Sequence, residues 1–474
     1  MDQTLDVVRY LIDLGPSVFL PLVMLILGLI IGLRFTRALQ AGILLGVAFA
    51  GVGLVIGFIF GGVAPAGQRF VENTGVQLTA FDFGWTAAAA ISWAWPYAVL
   101  MFPLQIAINL VMLAFGWTRC LNVDMWNVWG KIFVAALMTY LGVSVPVAFI
   151  VAGLWVILEL KSADYTERQV QHLTKIPGIS VPHLILFDLI FLAWVDRYIL
   201  DRIPGLNKLK TDPQRLRERI GIFGENAVIG AILGLILGLI AFGPDAAKVA
   251  PVVVVAATGL VLMPKVAALF MEALAPIAEQ AQKFMQSRFP GRQVSIGLDW
   301  PVLAGVPALW TAAIMLIPVI LALAVLVPGN IVLPFGSILL IEATIGTVII
   351  AQGDLIRTFI LGALSAIMRL FTAGFFAVAI TSLARATGVL TIPPEVNQVT
   401  WLGTPPLAWF GLKLGQLTQG QDLLLGIGSL IVLGGLIYLW RREMLRREAL
   451  YGDESGGGLT SGTAVQSSVQ PAGA

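Results

Sequence analysis

"AGILLGVAFAGVGLVIGFIFGGV" (residues 41–63) contains no charged side chain. A helix needs about 20 apolar residues to cross a hydrocarbon core about 30 Å thick. The apolar residues of this stretch do not alternate with polar ones, as they would in a strand of an outer-membrane barrel. We therefore interpret residues 41–63 as a transmembrane helix.

The rest of the chain has the same character. Of its 474 residues, 58% are hydrophobic and 12% are charged, and its mean hydropathy is +0.91. Soluble domains carry about 25% charged residues. Comparable apolar segments occur at 16–33, 83–118, 132–158, 176–195, 226–244, 249–264, 300–341, 358–384 and 423–440. This pattern excludes a water-soluble domain and predicts an all-α, polytopic membrane protein with about 9 to 11 transmembrane helices.

Some apolar segments are too long for one crossing. Residues 83–118 and 300–341 should therefore each contain a re-entrant hairpin followed by a full helix. We place these hairpins near residues 85–95 and near residue 300, and we expect a further hairpin at 335–352. Broken helices of this kind form the substrate sites of many transporters.

Three pairs of motifs indicate an internal structural repeat. "APAGQRF" and "APIAEQAQKF" begin 211 residues apart, "FGW" and "GLDW" end 215 residues apart, and Asn122 and Asn330 are 208 residues apart. A duplicated unit with small changes in its loops would leave such offsets. We therefore divide the membrane domain into residues 1–222 and 223–451. Chance similarity between apolar segments is the alternative.

Basic residues predict the orientation, because cytoplasmic loops carry an excess of Lys and Arg. Seven basic side chains lie within residues 197–219, and Arg441, Arg442, Arg446 and Arg447 follow the last apolar segment. We expect both regions to be cytoplasmic and the N-terminus to be external.

Two further segments have distinctive compositions. Residues 452–474 are rich in Gly, Ser and Ala, which predicts a disordered cytoplasmic tail. Residues 269–289 have apolar side chains at helical spacing with polar ones opposite, which predicts an interfacial amphipathic helix.

The chain has one cysteine and two histidines, so we expect no metal site and no cofactor. We also expect no nucleic-acid partner.

Nine motifs occur in a fixed order along most of the chain. They are "RYLIDLGPSVFLP" (9–21), "GVGLVIG" (51–57), "NVDMWNVW" (122–129), "GISVPH" (178–183), "IPGLNKLK" (203–210), "FGENAVIG" (223–230), "LAPIAEQAQ" (274–282), "IGLD" (296–299) and "VPGNIVLPFG" (327–336). Together they resemble the galactitol-type enzyme IIC, the permease of the phosphoenolpyruvate-dependent phosphotransferase system, within the ascorbate-galactitol superfamily.

This resemblance implies a homodimeric permease of the bacterial inner membrane that binds a polyol or sugar from outside. It also implies a IIB subunit whose phosphocysteine phosphorylates the substrate as it enters. Cys120 lies beside an apolar segment and is no candidate for that phosphocysteine. We therefore expect IIB and IIA subunits on separate chains. The basic segment 197–219 is either their docking surface or only a cytoplasmic anchor.

The chain departs from the family pattern at two positions. The family has a histidine at the end of "NVDIWNIWH" and another after "GLDPALLLGH". This chain has Gly130 at the first position and Gly305 and Val306 near the second. A replacement in both halves indicates an altered pocket, for a different polyol or pentitol, or else a loss of phosphorylation.

Polar residues inside apolar segments are the candidate site residues, since such groups are costly at membrane depth unless they have a function. "NVDMWNVW" supplies Asn122, Asp124 and Asn127, whose amides and carboxylate can bind several hydroxyl groups. We expect this stretch to form one wall of a polyol pocket. Alternatively, it is a polar loop in which Asp124 caps the next helix.

Further candidates lie at other breaks in the apolar pattern. We predict Asp299 as a substrate ligand with Trp85 as its stacking neighbour, and Asn330 as a weaker ligand that can instead be a turn residue. We assign catalytic roles to His183 and Glu225. His183 can instead be a satisfied buried histidine. Glu225 can orient or deprotonate the attacking hydroxyl, or only place a negative charge at a helix N-terminus.

Two functions remain open at this point. The first is a phosphotransferase-system permease. The second is a proton-coupled secondary carrier on the same fold, in which Asp299, Glu225 or His183 titrates. The absent histidines favour the carrier, whereas "IPGLNKLK" and "FGENAVIG" favour the permease more strongly.

Overall fold

The computed structural model describes residues 16–30, 32–74, 78–93, 95–122, 127–183, 189–206, 225–288, 294–334, 336–337, 339–387, 392 and 397–455. Most of these residues are helical, as the apolar segments predict. Asp124, most of the basic segment 197–219 and the tail from residue 456 onward lie outside the described residues.

The first half consists mainly of helices joined by short connections. They are α1 (Pro16–Ile30), α2 (Phe35–Thr74), α3 (Gly84–Trp93), α4 (Met101–Ala114), α5 (Val128–Tyr140), α6 (Val145–Thr174) and α7 (Leu189–Tyr198), with 3₁₀ turns at Ala98–Leu100 and Leu200–Arg202.

The second half contains a corresponding series. It comprises α8 (Asn226–Phe242), α9 (Ala246–Arg288), a 3₁₀ helix (Trp300–Gly305), α10 (Pro307–Leu326), α11 (Ile341–Ile350), α12 (Leu355–Thr387), α13 (Leu407–Thr418) and a final helix, α14 (Leu423–Ser455).

Helices of the two halves begin at nearly constant intervals. The helices α1 and α8 begin 210 residues apart, α2 and α9 211, α5 and α11 213, α6 and α12 210, and α7 and α13 218. These intervals agree with the 208 to 215 residues that separate the paired motifs in the sequence.

Six short strands, which the apolar pattern did not predict, form two parallel three-stranded sheets. The strands are β1 (Ala80–Asp82), β2 (Cys120–Asn122), β3 (Ile179–Ser180), β4 (Ser295–Gly297), β5 (Val332–Leu333) and β6 (Gln398–Thr400). Sheet A has the order β5-β1-β6, and sheet B has the order β2-β4-β3. Phe81 of β1 is the partner of Leu333 and Val399, and Ile296 of β4 is the partner of Leu121 and Ile179.

Each sheet joins strands from both halves. When β1, β2 and β3 are matched with β4, β5 and β6, the order of sheet A becomes the order of sheet B. A duplicated unit whose two copies exchange one strand produces this topology. The two sheets therefore hold the halves together and align their broken segments.

Helix lengths divide the described part into long and short elements. Four helices are long and apolar enough to cross a membrane: α6, α10, α12 and the Leu423–Leu450 part of α14. By contrast, α3 and α11 have 10 residues each and measure about 15 Å, half the thickness of a hydrocarbon core. They follow β1 and β5 directly, at two of the positions where we predict hairpins.

The predicted amphipathic segment 269–289 is not a separate helix. Residues up to Arg288 continue α9, which begins at Ala246 and has 43 residues. At about 1.5 Å per residue, this helix is longer than a membrane is thick. The polar residues that suggested a separate element lie along its C-terminal part.

Candidate functional site

The candidate site begins at the carboxyl ends of the strands of sheet B. Asn122 ends β2, His183 comes three residues after β3, and Asp299 comes two residues after β4. Since the strands are parallel, their carboxyl ends meet at one edge. His183 Nε2 lies 3.3 Å from Asp299 Oδ1, and the side chain of Asp299 is almost completely buried. The structure thus brings together two candidates that are 116 positions apart in the sequence.

Asn127 connects this edge to the neighbouring helices. Its Nδ2 donates to Asn122 Oδ1 at 3.0 Å and to the carbonyl of Pro182, the residue before His183, at 3.1 Å. Its Oδ1 accepts from Gln105 Nε2 at 3.1 Å and from Lys131 Nζ at 3.3 Å. Asn127 therefore fixes the segment after β2 against the segment after β3.

A buried ion pair lies directly behind Asn127. Lys131 of α5 and Glu159 of α6 form a salt bridge, and both side chains are almost completely inaccessible to solvent. His183 lies within electrostatic range of Lys131 and of Arg369 of α12. A buried charge needs a partner, since its desolvation costs several kcal/mol or more. The pair thus places two opposite charges beside Asn127, at a position that water does not reach.

Asp299 has a structural contact as well as its contact with His183. It is the N-cap of the 3₁₀ helix, and its Oδ1 accepts a hydrogen bond of 2.8 Å from the backbone amide of Trp300. Asx side chains commonly satisfy the first amides of a helix in this way. This contact fixes the carboxylate in orientation at the end of β4.

Sheet A has its own buried carboxylate, Asp82 at the end of β1. Asp82 accepts hydrogen bonds from the amides of Gly84 at 3.3 Å, Leu402 at 2.9 Å and Ser337 at 2.5 Å. The hydroxyl of Ser337 donates a further bond of 3.1 Å. These donors lie after β1, β6 and β5, so Asp82 ties together the carboxyl ends of all three strands of sheet A.

The contacts of Asn330 are those of a turn residue. Its Nδ2 donates to the carbonyls of Ala324 and Val332, both at 2.9 Å, and its Oδ1 accepts from the amide of Val332 at 3.1 Å. These contacts shape the connection between α10 and β5. They favour the turn interpretation of Asn330.

Two further candidates follow other elements, and one lies outside the described residues. Trp85 is half-buried at the start of α3 and follows sheet A, whereas Asp299 follows sheet B. Glu225 is exposed at the N-cap of α8, where its carbonyl accepts from the amide of Val228. Asp124 lies between Asn122 and Asn127 but outside the described residues.

The sequence reasoning did not select five of the buried charged residues that the structure describes. They are Asp82, Lys131, Glu159, Glu342 and Arg369, and each is at most 5% exposed. Only Arg369 lies inside one of the apolar segments, 358–384, where the rule that an ionisable residue at membrane depth indicates function would have selected it. The other four directly flank the segments 83–118, 132–158 and 300–341, where a charged residue is indistinguishable in sequence from the ordinary end of an apolar segment.

The edge of sheet B has the chemistry needed to bind a polyhydroxylated molecule. Carboxylates accept hydrogen bonds, lysine donates them, and amides and histidine do both. Trp129 of α5 lies two residues after Asn127, and its ring is 5.0 Å from that of Trp401. These two aromatic faces can cover the C–H surface of a sugar or polyol.

Comparison with known proteins gives the family. Residues 10–395 match the EIIC-GAT family, described as the sugar-specific permease component of the PTS system. The chain belongs to this family.

The galactitol-specific EIIC component of Escherichia coli K12 is 34% identical over 444 residues, which cover 92% of this chain and 96% of the relative. The corresponding protein of Escherichia coli O157:H7 gives the same values. A putative permease IIC component of Escherichia coli K12 is 32% identical over 441 residues, covering 92% of this chain and 99% of the relative.

As a member of the EIIC-GAT family, the chain is a membrane permease component of a phosphotransferase system, with a sugar-type substrate and IIA and IIB partner subunits. The proton-coupled carrier is not favoured. The family match includes all of sheet B together with Asn127, His183 and Asp299, and it ends three residues before β6, the last strand of sheet A.

Proposed function

We propose that the chain is the IIC component for a galactitol-like polyol and that the substrate binds at the edge of sheet B. The observation that carries this proposal is the convergence of Asn127, His183 and Asp299 from three distant segments. Their side chains offer acceptors and donors to neighbouring hydroxyl groups. The 34% identical relative is galactitol-specific, which supports a polyol as the substrate class.

In this proposal His183 acts as the base. A hydroxyl oxygen of the bound polyol attacks the phosphorus of the IIB phosphocysteine, the S–P bond breaks, and the hydroxyl proton passes to His183. Asp299 is held by the amide of Trp300 and lies 3.3 Å from His183 Nε2. It orients the imidazole and stabilises its protonated form, as a carboxylate does for a general base.

The substrate need not be galactitol itself. Gly130 and Val306 occupy or adjoin the positions where the resemblance implies histidines. Gly130 lies in α5 between Trp129 and the buried Lys131, close to Asn127. A missing side chain at this place enlarges or reshapes the pocket, so a related hexitol or a pentitol is the alternative ligand.

The remaining predicted residues keep their proposed roles. Asn122 extends the pocket wall formed by Asn127, Asp124 keeps its predicted role as a substrate ligand, and Trp85 provides an aromatic face from the first half. Asn330 acts through the turn that it stabilises. Glu225, exposed at the start of α8, assists the phosphoryl transfer from the side that faces IIB.

We further propose a homodimer in a bacterial inner membrane, with the N-terminus external and the C-terminus cytoplasmic. The basic segment 197–219 and the arginines at the end of α14 support this orientation. Both regions would then lie on the side from which the soluble IIA and IIB subunits act.

Reconstituted vesicles test the proposed function directly. Vesicles containing the protein, with phosphorylated IIB on the cytoplasmic side, are supplied with labelled galactitol, other hexitols and pentitols. We expect one of these polyols to accumulate as its phosphate ester only when IIB is phosphorylated. Accumulation of free polyol that collapses with the proton gradient would contradict this proposal and establish the carrier instead.

A further inference from the structure

Each half of the protein contains a buried anion and a buried cation on corresponding helices. In the first half, Lys131 is the fourth residue of α5 and Glu159 is the fifteenth residue of α6. In the second half, Glu342 is the second residue of α11 and Arg369 is the fifteenth residue of α12. The charges are reversed, since the helix that carries the cation in the first half carries the anion in the second. The first pair supports Asn127, and the second pair has no role in the site described above.

Glu342 has a carboxylate oxygen that lacks a well-formed hydrogen bond within the described part of the chain. Its side chain is 5% exposed, and its Oε2 has no hydrogen-bond partner among the described residues. Arg369 and Asp82 lie within electrostatic range. Native proteins rarely leave a buried polar atom without a partner, and such atoms are enriched where a ligand or ion supplies the missing bond.

Trp401 provides a donor next to this acceptor. The indole of Trp401 faces the carboxylate of Glu342. Their contact falls short of full hydrogen-bond geometry, so Trp401 Nε1 and Glu342 Oε2 each lack a well-formed hydrogen bond among the described residues. A hydroxyl group both donates and accepts one hydrogen bond, so it can satisfy both atoms. The carboxylate and the indole therefore match one hydroxyl of a polyol.

These groups adjoin the edge of sheet B. The ring of Trp401 lies 5.0 Å from that of Trp129, which comes two residues after Asn127. Arg369 donates from Nη1 to the carbonyl of Gly403 at 2.8 Å and lies within electrostatic range of His183. A ring contact and the field of Arg369 thus connect the surroundings of Asn127 and His183 with those of Glu342.

We propose that Glu342 and Trp401 form a second, opposite wall of the polyol site, with the carboxylate of Glu342 accepting a hydrogen bond from a substrate hydroxyl. This inference rests on the proposed function and adds a ligand from the second half to those on sheet B. A wall of this kind discriminates between polyols by the presence of one hydroxyl.

The test compares galactitol with its monodeoxy analogues by calorimetric titration of the purified full-length protein. A hydrogen bond to a buried charged group is worth enough to change affinity about tenfold or more. We expect one deoxy analogue to bind wild-type protein about tenfold more weakly than galactitol. The Glu342→Gln protein should bind galactitol as weakly as the wild type binds that analogue. The analogue itself should bind the two proteins with equal affinity. Glu272→Gln, at an exposed position of α9, is the matched control and should leave both affinities unchanged.

A second variant keeps the test valid if Glu342→Gln does not fold. Glu342→Asp keeps a carboxyl group near Arg369 but withdraws it by one methylene, so it should fold and show the same loss of discrimination. This inference is overturned if Glu342→Gln, or Glu342→Asp in its place, binds galactitol and all analogues as the wild type does. The proposed function still stands in that case if Asp299→Asn loses binding. If the wild type binds no polyol, the proposed function fails and the inference fails with it.

Discussion

Asn127 links the elements of the candidate site at the scale of single residues. Its amide contacts Asn122, the carbonyl of Pro182, Gln105 and Lys131. An amide carries two donors and an acceptor with two lone pairs, and the contacts of Asn127 use both kinds of atom. The position of His183, next to Pro182, therefore depends on a side chain 56 residues earlier in the sequence.

Asp299→Asn and His183→Ala should each weaken substrate binding about tenfold or more, because each removes a partner from a buried polar pair. The measurement is the dissociation constant of the transported polyol for the purified protein. His172→Gln is the control, since His172 is exposed and contacts Gln352 away from the site. Unchanged affinity in both site variants would exclude these residues from the binding site.

Lys131→Met should lower the free energy of unfolding by about 3 to 5 kcal/mol, because it leaves the charge of Glu159 buried without its cation. The double variant Lys131→Met/Glu159→Leu should recover most of this loss, since two apolar side chains of similar volume replace the pair. Denaturant unfolding in micelles measures both values.

An exposed ion pair provides the control for this comparison. Arg69 and Glu72 are 62% and 47% exposed, and such pairs contribute little to stability. Arg69→Gln should therefore leave the unfolding curve nearly unchanged. A double variant as unstable as Lys131→Met would contradict the assignment of the loss to an unpaired charge.

At the scale of elements, close backbone contact joins α8 to α9. A Cβ atom at Gly230 or Gly234 would lie 2.7 Å from a backbone oxygen of α9, that of Ala256 or Val252 respectively. Glycines four residues apart let two helices approach closely, and this packing stabilises helix pairs within a membrane, where the hydrophobic effect does not.

Gly234→Ala should destabilise the protein by about 1 to 3 kcal/mol, since the added methyl group forces α8 away from α9. Gly428→Ala in α14 is the matched control, because an added Cβ meets nothing within 4 Å. The control should raise stability slightly, since alanine favours the helix by about 0.5 to 1 kcal/mol over glycine. Equal midpoints of thermal unfolding for the two variants would show that the contact between α8 and α9 is not tight.

At the scale of the whole molecule, the C-terminal part of α14 contacts both halves. Arg447 Nη2 contacts Asp196, two residues before the end of α7, at 2.8 Å, and its Nη1 donates to the carbonyl of Ile350, the last residue of α11, at 2.9 Å. Glu443 pairs with Arg197 at 2.6 Å. Because α7 belongs to the first half and α11 to the second, this helix adds a third connection to the two shared sheets.

The orientation is tested with single cysteines in a Cys120→Ala background. The arginines at the end of α14 predict that this end is cytoplasmic, and a crossing by α8 from the cytoplasmic basic segment would put the turn before α9 outside. We therefore expect Lys248→Cys to react with an impermeant maleimide added from outside, whereas Arg446→Cys should react only after the membrane is opened. Both original side chains are exposed, so access does not limit the reaction. The reverse labelling pattern would overturn the orientation.

The sequence by itself determined the class of protein, the positions of most helices and the spacing of the two halves. Hydrophobicity and helical periodicity are local properties, and a duplicated pattern keeps its offset whatever the chain does in space. For the same reason His183, Asp299 and Asn127 could be selected in advance, since each interrupts an apolar segment or lies between two of them.

Only the tertiary structure decided which of these residues meet. The exchange of strands between halves sets Ile296 against Leu121 and Ile179, and strands of two or three residues carry too little pattern to predict such a register. Lys131 with Glu159, and Glu342 near Arg369, were likewise not predicted, because each is separated by about one helical hairpin and their pairing depends on how two helices pack. The desolvation of these charges, which makes them important to the site, exists only after the chain has folded around them.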